Sequence, residues 1–243
     1  MTEEKERKDK IEGIVLSSVR YGESSRIVNV LTRDEGKAGF MLRQNGKHKS
    51  GSGMLLPLSG VEFIASGGRK GGMRAMKDLS LRHTPASFGS DPVRRSEAFF
   101  IAELLCHTLP DGIGDELLYE YVENSILTLE QGIDGIANFH LYFMMHLTDY
   151  IGIAPSVERD EHTHFDLLSG EWTDGFGNMS NSISGEEAEL WYDLENVALD
   201  ELNSLNLNRN SRQQLIDLMQ RYYSLHHPGF TLLKSQDILA MLA

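Results

Sequence analysis

The chain has 243 residues, 40% of them hydrophobic and 24% charged, with a single cysteine. That length supports substantial cores in one or two domains. No apolar run approaches the roughly 20 residues of a membrane-spanning helix, and a lone cysteine permits no intrachain disulfide. The formal net charge of −13 conceals a division. Residues 1–90 carry 16 Lys and Arg against 10 Asp and Glu, a formal +6, whereas residues 91–243 carry 7 against 26, a formal −19. A chain so polarised reads as two units with different partners, a basic one suited to phosphate and an acidic one that is not.

The opening MTEEKERKDK mixes both signs of charge and is neither a signal nor a transit peptide. Residues 1–10 read as a disordered leader, and Cys106, inside the apolar stretch FFIAELLCHTL, reads as a small core hydrophobe in a reducing cytoplasm. Next come five segments of strand length and composition: IEGIVLSS, RIVNVLTR, KAGFMLR, GVEFIAS and MRAMKDLSL. Glycine-rich turns separate them, including NGKHKSGSG and GGRKGG. Five short strands shield their edges by closing on themselves, which predicts an OB-type barrel over 11–82. Gly39, inside the third strand, is the expected bulge.

RHTPASFGSDP then reads as the connection to a helical domain over 91–243. Asp91 followed by Pro92 is an N-cap with a first-turn proline, opening a helix stopped by Pro110-Asp111-Gly112. Further helices are expected at 115–131, at 136–151 with Gly152 just past its end, after a capping box from Ser184 to Glu187, from about Asn210 to His226, and from Ser235. Ile101, Leu104, Leu105 and Thr108, and likewise Leu215, Leu218, Met219 and Tyr222, recur at helical spacing as core faces. A hairpin insertion is expected at about 155–181, where Phe165, Leu167 and Trp172 lie around a Ser-Gly turn. The fold class is thus α+β in more than one domain.

Enzymatic constellations are weak, and metal-assisted hydrolysis at His162, His164 and Asp166 ranks behind the binding functions. His162, His164 and Asp166 begin a metal-binding string that Leu167 breaks, and a solvated hairpin face explains them better. His140 and His146, six apart on a helix, point to different faces. GGRKGG lacks the Lys-Ser/Thr ending of a phosphate loop, and no G-x-S-x-G elbow occurs. The acidic half's carboxylates read mostly as solvated helix surface. What remains is the basic barrel, whose Arg20, Tyr21, Arg26, Lys37, Arg43, Lys47, Lys49, Arg69, Lys70, Arg74 and Lys77 lie mainly in or beside loops that a small barrel gathers around a groove. These are the expected DNA-binding residues; no catalytic residue, cofactor or metal is expected.

EGIVLSSVRYGESSRIVNVLTRDEGKAGF (12–40) resembles the opening of the bacterial RecO family, with its E-G-I-V-L strand, Y-x-E-x-S turn and I-V strand ending in T-R. Leu55 to Leu58 resemble its L-x-P-L segment. Ala137-Asn138-Phe139-His140-Leu141 and the closing LNRNSRQQLIDLMQRYYSLHHPGFTLLKS are similar to members from Bacteroides-like bacteria. The resemblance covers nearly the whole chain. It implies an N-terminal OB barrel and a helical domain. It also implies binding of single- and double-stranded DNA, strand annealing, docking of the single-strand-binding protein's acidic tail, and work with RecR to load RecA, without enzymatic chemistry and in the nucleoid-associated cytoplasm. Some relatives carry a four-cysteine zinc knuckle near the hairpin; this chain has no cysteine there, so structural zinc is not expected. Because the acidic half repels an acidic tail, its few cations must receive one. Arg209, Arg212, Arg221 and Lys234, beside Tyr222 and Phe230, are the expected protein-binding residues. The alternative is an OB-fold protein adaptor that binds no nucleic acid.

Overall fold

A computed structural model of the chain describes residues 10–43, 55–67, 73–174 and 180–242. Nearly all of the expected leader lies outside the described residues, as do Lys47, Lys49, Arg69 and Lys70.

Five strands follow in the expected order: β1 (Lys10–Tyr21), β2 (Ser25–Thr32), β3 (Gly36–Arg43), β4 (Gly60–Ser66) and β5 (Arg74–His83). They close into a barrel in the order β1-β2-β3-β5-β4, all neighbours antiparallel except β3 and β5. Alternate residues point inward, so Val15, Val28, Val30, Phe40, Leu42, Val61, Phe63 and Met76 form the barrel core. Phe40 and Phe63 meet edge to face with centroids 4.7 Å apart. The bulge expected at Gly39 is not there. Gly39 pairs in unbroken register with Asn29, and a side chain on it would crowd the Asn29 amide oxygen at 3.2 Å. The register shifts fall instead between Val15 and Ser17 of β1 and along β4–β5.

The helices are α1 (Ser87–Ser90), α2 (Pro92–Thr108), α3 (Glu116–Gln131), α4 (Phe139–Tyr150), α5 (Glu186–Asn196), α6 (Arg209–His226) and α7 (Gln236–Leu242), with 3₁₀ turns at Ile136–Asn138 and Leu199–Ser204. Asp91 caps α2 by accepting from Val93 N and Arg94 N, and Asn208 caps α6 in the same way. Both expected core faces are buried. The capping box is not formed. Ser184 ends a third strand, and Gly185 at φ +59° opens α5 without a side-chain cap.

The chain divides into two compact units, Met1–Ser90 with Ala102–Leu127 and Asp91–Ile101 with Thr128–Ala243. The first joins the barrel to most of α3. There the turn before β3 meets the loop before α3: Gly112 N donates to Lys37 O at 2.9 Å, and a Cβ on Gly36 (φ +63°) would lie 1.8 Å from Ile113 O.

In the second unit, Tyr223 Oη donates to Met144 O and Tyr222 Oη to Ile153 O, both at 2.7 Å, tying α6 to α4 and the segment after it. The expected hairpin is a three-stranded sheet, β7-β6-β8, formed by β6 (His164–Asp166), β7 (Glu171–Thr173) and β8 (Ser182–Ser184). Phe165 pairs with Trp172 on one side and Ile183 on the other, and its ring lies 4.9 Å from Trp191. Phe165 and Leu167 are fully buried and Trp172 nearly so, so apolar packing holds this sheet as expected.

Candidate nucleic-acid interface

The barrel positions its cations through strand register. In an antiparallel ladder directly opposed residues share a face, so Arg20, Arg26 and Leu42 form one row, and Tyr21, Ser25 and Arg43 the next. Leu42 points into the core. The second row therefore lies on the outer face, and continuing the β3–β5 register one residue past Leu42 and Met76 sets Arg43 beside Lys77. Four strands at about 4.8 Å spacing make this outer row about 14 Å wide. Among the described residues, Arg20, Arg43 and Lys77 have no ion pair and Arg26 meets no carboxylate. Arg26 donates from Nε to Ser18 Oγ at 2.8 Å and from Nη2 to Ser18 O at 2.9 Å, which fixes its guanidinium while leaving the charge unneutralised.

Beside this cationic end the outer face of β1–β2–β3 carries apolar groups. Val19, Ile27 and Met41 share one row, and Met73 reaches to 3.6 Å of where a Gly39 Cβ would sit. Val19 is 61% exposed, Tyr21 57% and Met73 46%. Tyr21 was the only one of these singled out from sequence. The alternation of Val19 and Tyr21 with Ser18 and Arg20 carried the signal for an outward-facing strip, but only the barrel's closure shows which face is outward.

The other barrel cations are held internally. Lys37 Nζ donates to Cys106 O at 2.8 Å and pairs with Asp111 at 3.3 Å. Arg74 forks onto Glu35 and lies 4.8 Å above the Phe40 ring, and its guanidinium holds the Glu35 carboxyl below the usual carboxylate range. Lys10 pairs with Glu62, Arg82 with Glu12, and Arg33 with three glutamates of α3. Residues 102–127 bring six carboxylates and no lysine or arginine into this unit and cancel the barrel's formal +6. Among the described residues its unneutralised Lys and Arg are therefore Arg20, Arg26, Arg43 and Lys77.

The residues expected to receive an acidic tail do not converge. Arg209 and Arg221 are twelve positions apart on α6, about 18 Å along its axis. Arg212 is turned inward, donating to Leu207 O at 2.9 Å, and Arg221 donates to Asn181 Oδ1. Tyr222 is buried among Phe165, Trp191 and His226 and offers no surface. Phe230 packs on Tyr223 with centroids 5.2 Å apart, and Lys234 is exposed beyond α6.

His162, His164 and Asp166 are likewise spent separately. His162 Nδ1 lies 2.7 Å from Asp174 Oδ1, His164 Nδ1 lies 3.0 Å from Thr163 Oγ1, and Asp166 Oδ1 accepts from Leu168 N at 2.8 Å. Among the described residues no group of three or more His, Cys, Asp or Glu is arranged to hold a metal, and no helix is long and apolar enough to cross a membrane. His140 is a core residue, its Nδ1 2.8 Å from Glu97 Oε1, and burial raises the Cys106 thiol above its ordinary value. Glu97 and Glu195 are buried, exceptions to the expectation that the acidic half's carboxylates lie mostly on solvated faces.

A closed five-stranded barrel of OB topology, followed by a helical region with a small sheet, defines a two-part architecture. Two sequence profiles match in succession: Recombination protein O N terminal over residues 7–85, and Recombination protein O C terminal over residues 89–235. The DNA repair protein RecO of Christiangramia forsetii is 30% identical over 229 residues, 93% of this chain and 95% of that protein. The proteins of the same name from Bacteroides fragilis and Phocaeicola vulgatus are each 30% identical over 95% of this chain and 97% of their own length. The chain belongs to the RecO family of DNA repair proteins.

Proposed function

We propose that the protein is a non-enzymatic recombination mediator whose barrel holds the sugar-phosphate backbone of DNA at its Arg20, Arg26, Arg43 and Lys77 end. The observation that carries this reading is that these four cations escape the carboxylates that neutralise the barrel's other described ones. Lys47 and Lys49, which follow β3 in sequence, and Arg69 and Lys70, which fall between β4 and β5, are the further DNA-binding residues of the proposal and lie outside the described residues. The exposed Tyr21, Val19 and Met73 give unpaired bases an apolar surface, which favours single strands, while the cations serve either strand form. Lys37 and Arg74 take no part, since both are already committed internally.

The acidic helical half, unsuited to phosphate, serves protein partners: the single-strand-binding protein through its acidic tail, and RecR on the way to RecA. Holding DNA with one half and a DNA-coating protein with the other raises local strand concentration, and annealing follows without bond-making chemistry. Arg209, Arg221 and Lys234 remain exposed for such contacts.

Fluorescence anisotropy of a labelled poly-T oligonucleotide, titrated with the full chain at several salt concentrations, tests the reading. Salt-sensitive binding is expected, together with accelerated annealing of complementary strands. No binding at low salt would leave a protein-only adaptor as the function.

A further inference from the structure

Arg33, one residue beyond β2, is fixed by an acidic stripe. Glu116, Glu120 and Glu123 of α3 stand at i, i+4 and i+7 on one helix face, with contacts to its guanidinium of 3.2, 3.4 and 2.9 Å. Tyr119 lies beneath it, 4.7 Å from ring centroid to guanidinium carbon. Three carboxylates against one cation leave this region net negative, and no lysine or arginine of residues 102–127 offsets it. The Arg33 side chain is nonetheless 39% exposed, at the far end of the strand that begins beside Arg26. Seven residue steps separate the two arginines, about 23 Å of extended chain.

We infer that α3 masks Arg33 and thereby limits the DNA footprint: the carboxylate stripe keeps an otherwise available cation from phosphate and confines the strand to the Arg20–Lys77 end. The inference rests on the DNA-binding reading above and adds a built-in restraint to it. Affinity is held below what the barrel's cations could deliver, so a bound strand is released more readily to the next step.

A double-mutant cycle on the full chain tests this with the poly-T oligonucleotide. Glu116→Gln/Glu120→Gln removes the two most exposed and longest of the three contacts and leaves Glu123 and Tyr119 to position Arg33. Binding should tighten several-fold at low salt, with the log–log salt slope steeper by about 0.7, the increment for one more phosphate on a single strand. Arg33→Gln alone should leave affinity and slope unchanged, and added to the double variant it should abolish the gain. A gain that survives Arg33→Gln would reflect only reduced net charge and would overturn the masking. So would unchanged binding by the double variant, or weakened binding by Arg33→Gln alone. If the double variant does not fold, Glu120→Gln is read in the same way against the same Arg33→Gln background. Failure of the unaltered protein to bind any oligonucleotide would sink both readings, whereas normal binding with a flat cycle would sink this one alone.

Discussion

Arg20 and Arg26 are direct cross-strand partners on the β1–β2 ladder, two arginines in register with no carboxylate between them. Like charges directly opposed on a sheet destabilise it, and the Ser18 contacts fix Arg26 without relieving the repulsion. Such an arrangement is explained if an anion completes it. Arg20→Gln should therefore raise stability by about 0.2–1 kcal/mol, seen as a higher urea midpoint, while weakening oligonucleotide binding. A variant that loses stability, or keeps full affinity, would contradict this account of the pair.

Tyr21 is expected to act by stacking. It is exposed and stands in the outer row with Arg43. Tyr21→Ala should cost about 1–3 kcal/mol in single-strand binding and much less on duplex, with thermal stability unchanged. Equal losses on the two substrates would assign Tyr21 to backbone contact instead.

Glu195 makes the second unit's stability depend on pH. Burial pushes its carboxyl up to about 7, the neighbouring Trp172 indole opposing this only in part. The folded state keeps a proton that the unfolded chain releases near pH 4.3. Stability should therefore fall as pH rises from about 4.3 to 7, and above 7 the buried charge remains as a constant cost. Glu195→Gln should flatten this dependence and gain about 1–3 kcal/mol at pH 8, with little change at pH 4. Denaturant midpoints at the two pH values check it; equal midpoint shifts at both would rule it out.

The joint between the β2–β3 turn and the loop before α3 depends on two glycines. A Cβ on Gly36 would meet Ile113 O at 1.8 Å, and one on Gly114 would meet Asp34 O at 2.3 Å. Gly36→Ala, which also strains a φ of +63°, should cost more than about 1 kcal/mol. Gly22, at φ +67° with open space around its Cβ position, should lose less on the same substitution. Thermal melts of the two variants rank them, and the reverse order would contradict the packing described.

Sequence periodicity placed all five barrel strands and most helices, because alternating Val, Ile and Phe and the caps at Asp91 and Gly152 are local signals. The third strand of the small sheet was missed. Ser182-Ile183-Ser184 is too short to show periodicity, and Ser184 and Glu187 imitate a capping box. Charge segregation pointed to the barrel but could not sort its cations. Lys37 and Arg74 look like Arg43 in sequence, and only the positions of Asp111 and Glu35 show that they are neutralised. Arg33 carries no local signal, because its acidic partners are more than 80 residues away in the chain. The cations around α6 lie apart for a related reason, since helix rise and the burial of Tyr222 separate residues that are near neighbours in sequence.

In the proposed function the unneutralised end of the barrel grips phosphate. This is tested most directly by the salt dependence of poly-T binding for the unaltered chain and for Arg20→Gln/Arg43→Gln/Lys77→Gln. If about five phosphates are neutralised, the unaltered slope should be near −3.5, and the variant, still folded, should bind more weakly with a slope shallower by about 2. The same affinity and the same slope in both proteins would place the DNA elsewhere.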